Sequence, residues 1–241
     1  MTAGPSTNRP IDLSVLIPAY EEAENLRVLL PRLSGTLRSM SISAEIIAID
    51  TNPPLDNTDQ VCAEYSSENV RAIPREQGPS FGSAYRTGIR NARGRHILFM
   101  DGDGSHDPEL IPKLYALRDK ADVISASRYT EGGETENTWL LKQMSYAVNL
   151  TFRVIFRINC KDVSNSFKLY DGNVLRQLPL SCENFDIIEE ILIRLRRSRP
   201  NFRIIEVPCT FHQRLHGVTK RKLALFIVTY AWTLVRLMFL K

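Results

Sequence analysis

Residues Arg95–Leu110 read RHILFMDGDGSHDPEL. An apolar run, Ile97 to Met100, hands directly to Asp101, Gly102 and Asp103, and then to Gly, Ser, His and Pro. A short apolar run that stops at turn residues predicts a buried strand ending at a loop. Two carboxylates one residue apart at such a strand end repel each other unless a cation lies between them. Hard oxygen ligands of this kind suit Mg²⁺ or Mn²⁺ carrying a substrate phosphate, with waters in the remaining positions. A solvated acidic turn is the plainer reading of a lone DxD. The strand context, and a second acidic strand end upstream, favour the metal.

On either side of this stretch, short apolar runs alternate with helical patterns. Leu13–Ile17 reads as a strand ending at Pro18, and Glu22–Leu37 as a helix with Leu26, Leu29, Leu30 and Leu33 on one face. Glu45–Asp50 is the next strand, Asn57–Ser66 a helix, Asn69–Ile73 a strand and Ser80–Ala92 a helix. This order predicts an α/β fold, a mostly parallel sheet with helices on both faces. Ligands of such sheets bind beyond the carboxyl ends of the strands. Pro18, Ala19, Tyr20, Glu21 and Glu22 lie at the first such end, Asp50 at the second, and Asp101 and Asp103 at the fourth. A dinucleotide dehydrogenase needs a GxGxxG turn after its first strand; here that turn is PAYEE, without glycine. The second half predicts a strand at Ala121–Ser127, a polar loop EGGETENT, a long apolar helix at Trp139–Ile158, an amphipathic helix at Phe185–Arg197 and a strand at Phe202–Val207.

Composition bounds the function. The 241 residues are 43% hydrophobic and 24% charged, as in an ordinary globular protein, and the net charge is +4. That mild excess suits an anionic substrate or a membrane surface. The basic residues do not interleave with aromatics, so no nucleic-acid partner is expected. Cys62, Cys160, Cys182 and Cys209 lie far apart with no CxxC pair, which reads as reduced, buried thiols of a cytosolic protein. Residues 1–11 are expected to be a flexible tail and 12–222 the folded domain.

In order, these motifs resemble the inverting glycosyltransferases of family 2 with the GT-A fold, nearest to their dolichol-phosphate and polyprenyl-phosphate mannose synthase group. SVLIPAYEEAENL (14–26) resembles the opening strand and nucleotide-contacting turn, and IIAID (46–50) the strand whose aspartate faces the base. Residues 81–110 resemble the helix, strand and DxD loop; SRYTEGG (127–133) matches the stretch whose arginine serves the acceptor phosphate. KDVSNSFKLY (161–170) resembles a DxTSGFR segment, and FHQRLHGVTK (211–220) the late R…GxSK element. Thr51 stands where the family has a second aspartate, Ser105 where many relatives have glutamine, and Ser166 and Lys168 where SGFR has glycine and arginine. Lys142 is the nearest cation to an expected second acceptor arginine.

The resemblance implies donor-nucleotide contacts from Pro18, Ala19, Tyr20, Glu21, Asp50, Asp101 and Gly102. It implies Mg²⁺ or Mn²⁺ on Asp101, Asp103 and Ser105. Arg128, Lys142, Ser166 and Lys168 would face the acceptor phosphate, with Arg214 and Lys220 closing a clamp over the donor diphosphate. The implied reaction moves a sugar, mannose from GDP-mannose first, onto a polyprenyl or dolichyl phosphate. A phosphate acceptor is already anionic and needs cations rather than a general base. A sugar hydroxyl would need a carboxylate base, for which Asp162 and Glu189 are the candidates, although both read more readily as structural. Transfer to a soluble glycan or small molecule is the alternative, and a silent nucleotide- or partner-binding module a third reading. His106 reads as a packing or turn residue.

Leu223–Leu240, LALFIVTYAWTLVRLMFL, is nearly continuous apolar sequence behind Lys220, Arg221 and Lys222. As a helix it would span about 27 Å, barely the hydrocarbon thickness, and Arg236 interrupts it. An apolar helix over 223–241 lying in a membrane interface is therefore expected, with the protein peripheral on the cytoplasmic face.

Overall fold

A computed structural model describes residues 10–216 and 232–239. The expected tail at 1–9, Lys220 and residues 223–231 of the expected terminal helix lie outside the described residues. The first half follows the periodicity closely. Strand β1 (Leu13–Pro18) sends Leu13, Val15 and Ile17 to one face and Leu16 to the other. Helix α1 (Ala23–Ser39) buries Leu26, Leu29, Leu30 and Leu33, and its first amide, Ala23 N, donates to Asp56 Oδ2 at 2.8 Å. Asp56 therefore caps α1 from the loop after β2 (Ala44–Asp50).

Helix α2 (Thr58–Ala63) is shorter than its pattern, the remainder forming a tight turn at Ser66–Glu68 before β3 (Val70–Pro74). Ser80 Oγ accepts from Ser83 N at 3.0 Å to start α3 (Phe81–Asn91), which leads to β4 (His96–Phe99).

Beyond β4 come α4 (Ile111–Ala116), β5 (Val123–Ser127), a two-residue strand β6 (Glu134–Thr135) and α5 (Trp139–Phe156). Then follow β7 (Lys168–Asp171), α6 (Gly172–Arg176), α7 (Ile187–Ser198), β8 (Ile204–Pro208) and β9 (Thr210–Phe211). Residues 232–238 are helical. The main sheet has the order β3–β2–β1–β4–β7–β5–β8. Every pairing is parallel except those of β7, which runs antiparallel to both β4 and β5. Strand β7 was not anticipated: its run is short, and a strand enclosed on both sides lacks the alternation that marks a half-exposed one.

Two apolar cores confirm a sheet covered on both faces. One packs α1, α2 and α4 against Val15, Ile46, Leu98 and Leu169; the other packs α3, α6 and α7 against Leu16, Ile97, Phe99 and Tyr170. Helix α5 joins the second core through Phe152 but buries only that residue and Asn149. In the terminal segment Leu237 is buried, Thr233 Oγ donates to Asp186 Oδ2 at 2.7 Å and Arg236 Nη2 to Ser181 O at 3.1 Å. Arg197 Nη2, in the last turn of α7, donates to Leu237 O at 3.0 Å, so that part of the expected apolar helix is packed along α7. No helix among the described residues is long and apolar enough to cross a membrane.

Candidate active site

The carboxyl ends of β1, β2, β4 and β5 share one edge of the sheet and bring most of the anticipated residues together. Gly102 sits in the DxD turn, where a Cβ would approach Ile17 Cγ2 to 3.0 Å, so glycine permits the close packing of the loop on β1. Asp101 Oδ1 accepts from Ser166 Oγ at 2.9 Å, and its main-chain N donates to His106 Nδ1 at 3.0 Å. His106 is buried, stacked on Phe167 with ring centroids 4.8 Å apart. It thus packs and holds the turn, as its sequence position suggested. Asp103 Oδ1 accepts from Ser105 N at 3.1 Å and Ser105 Oγ at 2.6 Å. Asp103 Oδ2 meets Arg214 Nε at 3.2 Å and Nη2 at 3.1 Å, and the same Nη2 lies 3.1 Å from Glu22 Oε1.

Burial alone would raise the Asp103 carboxyl, but the Ser105 hydrogen bonds and the charges of His106 and Arg214 leave it below the usual range. Burial raises Glu22 above it, against the pull of Asn25 and Arg214, and the charges of Asp103 and Asp101 add to the rise. Among the described residues no group of three His, Cys, Asp or Glu side chains is placed to hold a metal alone. Asp101 and Asp103 nevertheless suit Mg²⁺ or Mn²⁺, which bind through one or two carboxylates and complete their shell with water and phosphate oxygens.

On the nucleotide side, Tyr20 is exposed and Glu21 has left-handed backbone, φ 55°, which turns Glu22 inward. Asp50 is buried at the end of β2; its Oδ1 accepts from Thr51 N at 2.7 Å, and its Oδ2 has no hydrogen-bond partner. Burial, helped by Asp56, holds this carboxyl above the usual range, although the Thr51 N–H opposes the rise. Arg75, which sequence reading did not single out, is buried beside it. Its Nη2 donates to Ala19 O and its Nη1 to Pro79 O, each at 2.5 Å, tying the turn after β1 to the loop after β3. A lone arginine directly after the third strand was the available signal. Glu22 was named only as part of the turn after the first strand, with no role of its own, and Asn25 was missed: Asn25 Oδ1 accepts from His216 N at 2.9 Å, fastening α1 to the late loop.

The residues expected on the acceptor side separate. Arg128 is nearly buried and forks onto Asp162, Nε to Oδ2 at 2.8 Å and Nη2 to Oδ1 at 2.7 Å. Burial would weaken the Arg128 charge; Asp162 more than offsets this and holds the guanidinium's pKa above its ordinary value. Asp162 in turn sits below the carboxylate range despite complete burial, because Arg128 lies against it. Ser166 lies on Asp101, and Lys142 is exposed on α5. Lys168 does not join them. It is fully buried, and its ammonium donates to the carbonyls of Asp162 (3.1 Å), Val163 (3.2 Å) and Asn165, so it braces the 162–165 loop from inside. The side chain of β7's first residue faces inward, and burial lowers its pKa. Glu189 is fully buried on α7.

Residues 14–179 match the family described as Glycosyl transferase family 2. The chain belongs to that family. It is 34% identical over 87% of its length to a dolichol-phosphate mannosyltransferase of Pyrococcus furiosus, and spans 59% of that longer protein. It is 32% identical to an undecaprenyl-phosphate mannosyltransferase of Micrococcus luteus, covering 85% of both chains. A polyprenol monophosphomannose synthase of Mycolicibacterium smegmatis is 30% identical, with 90% of this chain and 83% of that one covered. The fold matches the crystal structure of glucosyl-3-phosphoglycerate synthase from Mycobacterium tuberculosis with Mn²⁺, UDP and phosphoglyceric acid. The TM-score is 0.72 at 17% identity, over 96% of this chain and 80% of that one. The same enzyme was also crystallised with Mg²⁺ and UDP, and superposes with a TM-score of 0.70 at 16% identity. The chain is thus a GT-A glycosyltransferase.

Proposed function

We propose that this glycosyltransferase moves a sugar, mannose from GDP-mannose in the first instance, onto a polyprenyl or dolichyl phosphate. The observation that carries the reading is the edge at Asp101 and Asp103: two carboxylates at the end of a central strand, flanked by Arg214, in a chain whose relatives are named for mannosyl transfer to lipid phosphates. A divalent ion on this pair supplies neutralisation of the charge that develops on the departing nucleoside diphosphate. Ser105 and Ser166 orient the two carboxylates, and Asp50 Oδ2 offers an unshared acceptor to a base or ribose donor. Pro18, Ala19, Tyr20, Glu21 and Gly102 border the donor and Arg214 clamps its diphosphate, a role that the resemblance of 211–220 to the R…GxSK element also gives to Lys220. Arg128, locked by Asp162, and Lys142 present positive charge to an incoming phosphate monoester, which attacks without a general base.

The membrane surface is the proposed second partner. Helix α5 exposes Trp139 (73%), Tyr146, Leu150 and Val154 (66%), and the segment 232–239 exposes Trp232 (71%) and Phe239 (79%). These aromatic and aliphatic side chains, with Lys142 and Arg153 on the same helix, suit insertion at the headgroup level of an anionic leaflet, the cytoplasmic one.

The test offers purified protein, Mn²⁺ and a short polyprenyl phosphate with radiolabelled GDP-mannose or UDP-sugars in separate reactions. Metal-dependent label in the organic phase, lost in Asp101→Ala, is the expected result and identifies the donor. Label reaching only water-soluble acceptors overturns the lipid acceptor; no transfer from any donor overturns the reading altogether.

A further inference from the structure

The acceptor capacity of Asp103 is fully used within the protein. A carboxylate offers about four lone-pair positions. Ser105 N and Ser105 Oγ take two on Oδ1, and Arg214 Nε and Nη2 take two on Oδ2. Asp101 differs: Oδ1 accepts from Ser166, whereas Oδ2 lies 3.9 Å from His106 Nε2, beyond hydrogen-bond reach. One half of the carboxylate pair is open, and the other is saturated.

The two sets of bonds on Asp103 are not equivalent. Those from Ser105 are local to the turn. Those from Arg214 come from a strap, residues 212–216, laid over the turn from elsewhere in the chain. His212 N donates to Ser105 O and Leu215 N to Asp103 O, each at 3.0 Å, and the Leu215 side chain rests on Gly104. Arg214 Nη2 is shared between Asp103 and Glu22, so one guanidinium faces both carboxylates.

We propose that Arg214 is a placeholder cation, seated on Asp103 Oδ2 until a divalent ion displaces it, with Glu22 retaining the displaced guanidinium beside the turn. A divalent ion held by Oδ2 would take one of its two lone-pair positions, both of which Arg214 occupies, so metal entry and seating of the strap are competing events. Glu22 is then a positioning residue. This rests on the reading of Asp101 and Asp103 as the metal-binding pair, and it adds that the pair is guarded from within.

The experiment titrates metal-free protein with Mn²⁺ in the absence of any sugar nucleotide, following free Mn²⁺ by electron paramagnetic resonance. Amide hydrogen exchange at Leu215 and His216 is recorded in parallel. Arg214→Ala is expected to bind Mn²⁺ roughly tenfold more tightly than the wild type, the scale of one charge-assisted hydrogen bond. Arg214→Lys, which keeps the charge without the fork, is expected to lie between them. In the wild type Mn²⁺ is expected to speed exchange at Leu215 and His216. Glu22→Gln is expected to enlarge that effect, and Glu22→Asp to restore it. Equal or weaker Mn²⁺ binding by Arg214→Ala overturns the proposal. So does tighter binding with exchange in the wild type unchanged, which would reduce the effect to simple charge repulsion. Failure of both proteins to bind Mn²⁺ overturns it together with the metal reading; Mn²⁺ binding of equal strength overturns the placeholder alone.

Discussion

Ser166 and Asp162 carry the sharpest consequences at the scale of single residues. Ser166 Oγ holds one oxygen of Asp101 and so sets the orientation of the carboxylate. Groups that orient a metal ligand typically contribute 10–100-fold in metal affinity or activity. Ser166→Ala is therefore expected to weaken Mn²⁺ binding by about 10–100-fold while leaving the melting temperature near that of the wild type, which titration and thermal unfolding check. Asp162 is fully buried and receives the Arg128 fork together with the Arg128 main-chain N–H. Removing it strands a buried guanidinium, so Asp162→Ala is expected to cost about 3–5 kcal/mol in urea unfolding.

The pH dependence has a definite sign. The folded-state pKa of Asp162 is depressed, so its contribution is whole above the unfolded value of about 3.9 and is lost as pH falls through the lower folded value. Acid unfolding of Asp162→Asn is expected to lose that part of the slope. PAYEE displays two adjacent glutamates, and only the left-handed backbone at Glu21 decides that Glu22 is the one turned toward Arg214.

At the scale of elements, strand ends were legible and strand faces were not. The β4–Asp101 junction could be read because a fully buried strand shows an unbroken apolar run and the turn residues behind it end the run abruptly. The resemblance of KDVSNSFKLY to a DxTSGFR segment puts Lys168 on the acceptor side; the pleat of β7 instead sends it into the interior, where three carbonyls receive it. Nothing in KDVSNSFKLY marks that strand as antiparallel and enclosed on both edges. Helix α5 was legible as apolar, but its outward-facing surface depends on which neighbours cover it, a tertiary property. If α5 enters a membrane interface, Trp139→Glu with Val154→Glu should reduce co-sedimentation with anionic vesicles by at least about tenfold, since burying either side chain is worth roughly 1.5–3 kcal/mol. Unaltered sedimentation would place the contact elsewhere.

For the molecule as a whole, the parallel architecture followed from strand and helix alternation, and the order of the sheet's second half did not. Strand β7 arrives late in the chain and inserts between β4 and β5, and through it Ser166 reaches Asp101. Long-range insertion of this kind leaves no local pattern to read.

The pairing of β6 with β9 joins two segments that serve different substrates in the proposed reaction. Glu134–Thr135, which precedes α5, runs beside Thr210–Phe211, which precedes the strap. Glu136 extends the seam, accepting from Gln213 N at 2.8 Å and meeting His212 Nδ1 at 3.0 Å. An acceptor that shifts the first segment must therefore shift the second. Such coupling is thermodynamically reciprocal: whatever factor a lipid phosphate imposes on donor affinity, the donor imposes on lipid phosphate affinity in return. Calorimetric titration of donor with and without a short polyprenyl phosphate, and the reverse, should return one shared factor. Glu136→Ala should bring that factor toward unity, leaving two sites that no longer report on each other.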